Sequence, residues 1–301
     1  MELRRRPRYI AEPTGRTVRI TDRDLYLFSR LNVHGPLPTS FLIEYSKHLD
    51  GHEWRGTKRR LMRLFHEHPY LARPPHQFRT IDARYQEIVH ANAEAADDAL
   101  KAEGRHEPVT RSGPWLHQHM TACITASIEL GALRSGHRYI SQQEALGERP
   151  LSVDISYTPP DGRAEKARLM PDAFFGIDYG GKRRYYALEA DRGTEPVSFV
   201  SPERKTILRS VLQYRQLIGR HLYKEHYGLT DGLVLLFVTT SEARLKNIRD
   251  YILSLAPQGN NYILLRHVSN FGAIYNPPVP MLDLYDKPWE RAGHEPFLIG
   301  Q

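Results

Sequence analysis

Met170-Pro171-Asp172 and, beginning fifteen residues after the aspartate, Ala187-Leu188-Glu189-Ala190-Asp191 are the stretches on which the reading of this chain turns. Asp172 opens a run rich in Phe and Ile, and Glu189 closes the next apolar run, so both read as strand ends. Strand side chains alternate between faces, which directs Glu189 and Asp191 to one side and Ala190 to the other. Asp178-Tyr179-Gly180-Gly181 lies between the two runs and carries a hairpin signal, so Asp172 can come beside that pair. Carboxylates crowded together repel unless a cation sits between them, and hard oxygen donors favour Mg²⁺ or Mn²⁺. Such an ion lowers the pKa of a bound water and stabilises the charge that develops in phosphodiester hydrolysis. The plainer alternative pairs Glu189 and Asp191 with Arg184 and Arg192 as ordinary surface ion pairs.

Outward from this core the pattern is α/β. A helix is expected over 116–132, with Leu116, Met120, Cys123, Ile124 and Ser127 on its apolar face. By the same wheel Glu129 points away from that face, and a packed, hydrogen-bonded His119 is expected nearer to it. Strands follow at 152–157, 168–177 and 184–190, then a long helix over 202–224, a strand at 233–239, a helix at 241–255 and a strand at 262–266. The Pro-rich stretch Asn276-Pro277-Pro278-Val279-Pro280 reads as the start of an extended tail covering 271–301. A break at 99–113, polar and bearing both Gly and Pro, separates an earlier module over 1–100 from a later one over 114–270.

The earlier module carries the charge. Residues 1–80 hold 16 Lys/Arg against 8 Asp/Glu, whereas the other 221 residues hold 26 against 27, so the whole net charge of +7 arises in the first quarter. A polyanion-facing module joined to a neutral one accounts for this distribution. Thr21, with Asp24 three residues later, marks a capped helix start. Gly35-Pro36 ends that helix, Thr39 can cap a second, and a third spans 54–66, followed by hairpin-like sequence over 69–85. Three helices and a hairpin give the order of a winged helix-turn-helix. On the third helix Trp54, Leu61, Leu64 and Phe65 fall on one side, and Arg55, Lys58, Arg59 and Arg63 cluster on the other. A helix anchored by one face with guanidinium groups on the other suits the major groove of double-stranded DNA. Arg4, Arg5 and Arg6 can act as a basic arm in the minor groove.

The composition excludes several classes. The longest apolar stretch, 233–238, is too short to cross a bilayer. A basic N-terminus without an apolar run reads as no secretory signal, and a single cysteine, Cys123, excludes a disulfide framework or a cysteine zinc cluster. A reducing, cytoplasmic setting fits that count.

Pro171-Asp172 and Glu189-Ala190-Asp191 resemble the PD-(D/E)XK nuclease core, in which helix, three strands, helix and strand succeed one another. More narrowly, Leu188-Glu189-Ala190-Asp191-Arg192-Gly193-Thr194-Glu195 behind a winged helix resembles the replication-relaxation family of plasmids and other mobile elements, over about 21–240. The resemblance implies a restriction-endonuclease-like domain with a mixed central sheet. Asp172, Glu189 and Asp191 would hold Mg²⁺ or Mn²⁺, and the setting would be plasmid replication or mobilisation. The chain departs from the nuclease pattern at Asp191, where many active members have lysine. Either Lys205, on the following helix, supplies that charge, or the domain has lost hydrolysis and serves as a DNA-binding factor that recruits a relaxase or replication initiator. Contact with an acidic protein partner is a third reading of the basic end.

Overall fold

The computed structural model describes residues 6–51, 54–79, 86–109, 111, 113–159, 162–193, 207–271 and 277–301. The chain is mixed α/β and divides into two units, the first made of Met1–Val109, Pro114–Leu130 and Tyr275–Met281, the second of the remaining residues.

The first unit holds helices α1 (Asp22–His34), α2 (Thr39–Asp50) and α3 (Trp54–His66) and three short strands, β1 (Leu37–Pro38) between α1 and α2, then β2 (Leu71–Ala72) and β3 (Val89–Asn92) after α3, paired antiparallel in the order β1-β3-β2. α1 begins as its sequence dictates. The Thr21 hydroxyl accepts from the Asp24 N–H, and the Asp24 carboxylate accepts from the Thr21 N–H at 2.9 Å. α2 differs: its N-cap is Pro38, and the Thr39 hydroxyl donates to the Ile88 carbonyl at 3.0 Å instead of capping. The strand that completes the sheet, β3, also lies further along than the hairpin expected over 69–85, where a short 3₁₀ helix, Pro75–Arg79, intervenes. Leu61, Leu64 and Phe65 of α3 are buried with Phe28, Leu31, Phe41 and Leu42. α4 (Glu94–Ala102) and most of α5 (Trp115–Arg134) complete the unit.

α5 departs from the amphipathic expectation. From His119 to Ala132 every residue is buried, because the helix runs through protein on all sides. Glu129 is therefore inside, at 2% exposure, and not on a solvated face. Its carboxylate accepts from Tyr45 Oη at 2.7 Å, lies 2.6 Å from His34 Nε2 and pairs with Arg30. His119 is packed as expected, with Nδ1 3.0 Å from the Pro36 carbonyl and its ring stacked on Trp115.

The second unit is built on a seven-stranded sheet in the order β12-β11-β10-β9-β8-β7-β4. Its strands are β4 (Arg138–Ile140), β7 (Ala173–Asp178), β8 (Arg183–Asp191), β9 (Gly232–Thr239), β10 (Ile263–His267), β11 (Trp289–Arg291) and β12 (His294–Phe297). β4, β7 and β8 form an antiparallel meander, and β9 and β10 then run parallel to β8. A short helix, α6 (Gln142–Leu146), and a separate hairpin of β5 (Val153–Tyr157) and β6 (Glu165–Leu169) are inserted between β4 and β7. The single strand expected over 168–177 is thus two, broken where Pro171 removes a ladder donor. The turn from β7 to β8 follows the sequence: Gly180 and Gly181 take φ of 84° and 100°, and the Asp178 carboxylate accepts both of their N–H groups.

The helix expected over 202–224 is described as α7 (Ile207–Gly219) and α8 (Leu222–Tyr227), separated at His221, whose φ is 58°. α9 (Glu242–Leu255) follows, capped by the Ser241 hydroxyl. The extended tail expected over 271–301 is not what the structure shows. A short helix, α10 (Asp283–Asp286), precedes β11 and β12, which extend the sheet from β10, and Trp289 is fully buried with Nε1 donating to the Leu284 carbonyl at 2.7 Å. Burying an indole and pairing an otherwise open sheet edge outweigh the extended bias of the preceding prolines. Gly131 is required here, since a Cβ at that position would lie 2.3 Å from Tyr285 Cβ.

Candidate functional site

The acidic residues read from the sequence meet where β7 leaves its proline break and β8 ends. Asp172 precedes β7 by one residue, and its N–H donates to the Leu188 carbonyl at 2.9 Å, extending the ladder. Its Oδ2 accepts the Ala190 N–H at 2.8 Å. Because Phe174 pairs with Ala187 in register, Asp172 and Glu189 fall on the same face of the sheet. That face is the one α7 covers, with Ala187, Val211 and Tyr214 in its core.

Glu189 is 3% exposed, and its Oε1 accepts from the Tyr214 hydroxyl at 2.7 Å. Burial first, then the charge of Glu189, with Asp172 also contributing, pushes the Tyr214 phenol well above its ordinary range, so it stays a donor. Burial and Glu189 likewise raise Tyr227. A buried carboxylate, a half-buried one and a phenol therefore share one corner.

Asp191 is disposed differently. Its Oδ2 accepts from Arg244 Nε on α9 at 2.7 Å and from the Thr239 hydroxyl at 3.2 Å, and its Oδ1 accepts the Gly193 N–H at 2.9 Å. Both oxygens are engaged by protein donors, so the expected role of Asp191 as a metal ligand does not match its geometry. The partner is Arg244, and not Arg184 or Arg192 as the surface-pair reading held. Asp172 Oδ2 and Glu189 Oε1 are each engaged by a protein donor as well. Among the described residues, no three His, Cys, Asp or Glu side chains group as a metal would require. Lys205 lies outside the described residues.

The basic helix presents what its sequence foretold. Arg55, Lys58, Arg59 and Arg63 are exposed along α3, opposite buried Thr57, Leu61 and Leu64. The Trp54 side chain falls outside the described set. Arg60, on the same helix, has a different duty: its Nε donates to Asp24 Oδ1 at 2.9 Å and ties α3 to the start of α1. Arg4 and Arg5 also lie outside the described residues. Arg6 is not a loose arm, because its Nη2 donates to Glu67 Oε1 at 2.6 Å.

Arg244 and the Glu129 cluster escaped the sequence reading. The Arg244–Asp191 pair spans 53 residues, and no local pattern announces it. No helix among the described residues is long and apolar enough to cross a membrane.

The structure thus presents a unit with an exposed basic helix face and an α/β unit with paired carboxylates at a strand end. The replication-relaxation family model matches residues 29–233, more than half of the chain, which therefore belongs to that family. This family is tied to replication and relaxation of plasmids and other mobile elements. No curated protein and no solved structure matches the chain significantly.

Proposed function

We propose that this chain is a duplex-DNA-binding factor of plasmid or mobile-element replication or mobilisation. Its first unit acts as a winged helix, and its second is a PD-(D/E)XK nuclease-type domain that recruits a relaxase or replication initiator. The observation that carries the reading is the exposed cationic face of α3, four residues opposite a buried apolar side. The order α1-β1-α2-α3-β2-β3 supports the winged helix, with β2 and β3 forming the wing. For the second unit, support comes from the meander β4-β7-β8 followed by α7 and the parallel strand β9. The Asp191–Arg244 pair at the usual lysine position favours a binding role over hydrolysis.

The test is duplex binding by the full chain against Arg55→Ala/Arg59→Ala. The double variant is expected to lose at least about tenfold in affinity, and its slope of log K against log salt to fall by about 2. Unchanged affinity at modest salt would remove the winged-helix assignment.

Asp172 and Glu189 on one face favour a second reading, in which the domain cuts or nicks DNA with Mg²⁺ or Mn²⁺ held by those two carboxylates. Incubation of the purified chain with plasmid and either metal decides between the readings. Cutting that Asp172→Ala abolishes while binding persists establishes the enzyme. An intact plasmid leaves the binding factor.

A further inference from the structure

We propose that a cleft beside α3 in the first unit is a phosphate-binding site, taking a phosphate of the nucleic-acid backbone or of a free phosphate ester. The cleft has a volume of about 290 Å³ and is lined in part by Arg8, Thr39, Lys58, Arg73, Glu87 and His90. Three cations therefore line it against one carboxylate, and Glu87 already accepts from the Ser40 hydroxyl at 2.9 Å.

Arg73 is the centre of the argument. It is only 7% exposed, yet among the described residues no carboxylate pairs with it. Its Nη1 donates to the Arg8 carbonyl, its guanidinium lies 3.9 Å over the Phe65 ring, and its Nε has no hydrogen-bond partner. A buried cation without a counter-charge is costly unless something anionic meets it. Burial, and then the Arg8 charge, pushes the Arg73 guanidinium down to about 10.

His90 provides the second observation. It is 2% exposed, and its Nδ1 has no hydrogen-bond partner. The Thr39 hydroxyl donates to the Ile88 carbonyl, so it takes its hydrogen bond from His90 Nε2 at 3.1 Å, which leaves Nδ1 as an acceptor. Burial, and then Arg73, holds this imidazole neutral, down to about 3. The forked guanidinium and the lysine suit a phosphate oxyanion, and the His90 Nδ1 acceptor suits the hydroxyl of a monohydrogen phosphate, which a backbone phosphodiester lacks. A carboxylate ligand would leave more of these donors idle.

Only the backbone source rests on the DNA-binding proposal above. The experiment titrates inorganic phosphate, and separately a short duplex, into the full chain, following the His90 ring resonances by NMR and the melting temperature. In the unmutated protein, phosphate is expected to shift the His90 resonances and raise the melting temperature, while equal ionic strength of chloride does neither. Arg73→Gln, its fold checked by circular dichroism, is expected to lose the phosphate response, and Arg73→Lys to keep part of it. Arg55→Ala/Arg59→Ala keeps the phosphate response whatever its duplex affinity, which separates failure of the cleft from failure of the DNA reading.

If the backbone fills the cleft, Arg73→Gln also weakens duplex binding about tenfold and lowers the salt slope by about 0.9. If the phosphate response is lost with that slope unchanged, a free phosphate ester is the ligand. Absence of any His90 shift with phosphate, together with an unaltered salt slope in folded Arg73→Gln, overturns the proposal. Should Arg73→Gln fail to fold, the His90 response of the unmutated chain to phosphate against chloride decides alone.

Discussion

Replacing Glu129 with Gln removes one buried negative charge while keeping the shape of the side chain. The carboxylate lies among Arg30, His34 and Tyr45, with His34 Nε2 at 2.6 Å and Tyr45 Oη at 2.7 Å. Burial alone would push its pKa up, but the charges of Arg30 and then His34, with hydrogen bonds from His34 and Tyr45, outweigh burial and hold it down to about 2, against an ordinary 4.5. A shift of that size corresponds to roughly 3 kcal/mol of stability at neutral pH. A carboxyl whose pKa is depressed on folding contributes above its unfolded pKa and loses the contribution as pH falls through the folded one. For Glu129 the window therefore runs from about 4.5 down to about 2.

Glu129→Gln mimics the protonated state, so it is expected to cost about 3 kcal/mol at pH 7, measured by urea unfolding, and less than half of that near pH 3. Arg30 is 18% exposed, so water softens the loss of its partner without removing it. Adding Arg30→Met should recover at least half the loss, since no lone guanidinium then stays buried. A penalty below about 1 kcal/mol at pH 7, or one that is the same at pH 3, would refute the reasoning.

Removing Arg244 as Arg244→Met leaves Asp191 buried without its guanidinium, and a stability loss of about 2–3 kcal/mol is expected in denaturant titrations. An unchanged midpoint would mean that Thr239 and Gly193 suffice. Tyr214→Phe withdraws the hydroxyl that donates to Glu189 and should cost about 1–2 kcal/mol in denaturant titrations, and an unchanged midpoint would refute the contribution of that bond. Gly131→Ala forces a Cβ against Tyr285 at 2.3 Å, so a drop of about 1–3 kcal/mol is expected in thermal melts, and a wild-type melt would show that the contact relaxes freely.

What the sequence made legible was local. The Thr21–Asp24 capping box, the two-sided periodicity of α3 and the Asp178–Gly181 turn are each set within four to thirteen residues, and each is found as read. Strand alternation put Glu189 and Asp191 on one face and the hairpin signal allowed Asp172 beside them, and the observed register sets Asp172 opposite Glu189. The misreadings arise where distant chain decides. β4 has three residues, too few for any period to show, so it was absent from the expected strands. Glu129 was set away from the apolar face because a wheel knows only its own helix, and not that every residue from His119 to Ala132 is buried. The prolines at 277, 278 and 280 suggested an extended tail, whereas Trp289 and its strand pairing governed the outcome. Pro171 did carry the signal for the break between β6 and β7, but the apolar run around it masked the interruption.

The five basic residues of the third helix divide their labour. Arg60 is moored to the aspartate that also closes the start of the first helix, so a single carboxylate fixes where the whole rod points. Arg59 and Arg63 stand outside that mooring, at the surface. On the DNA-binding proposal, exchanging them would alter which nucleic acid is preferred while the aim of the rod is retained, so targets could change by surface substitutions without re-engineering the scaffold.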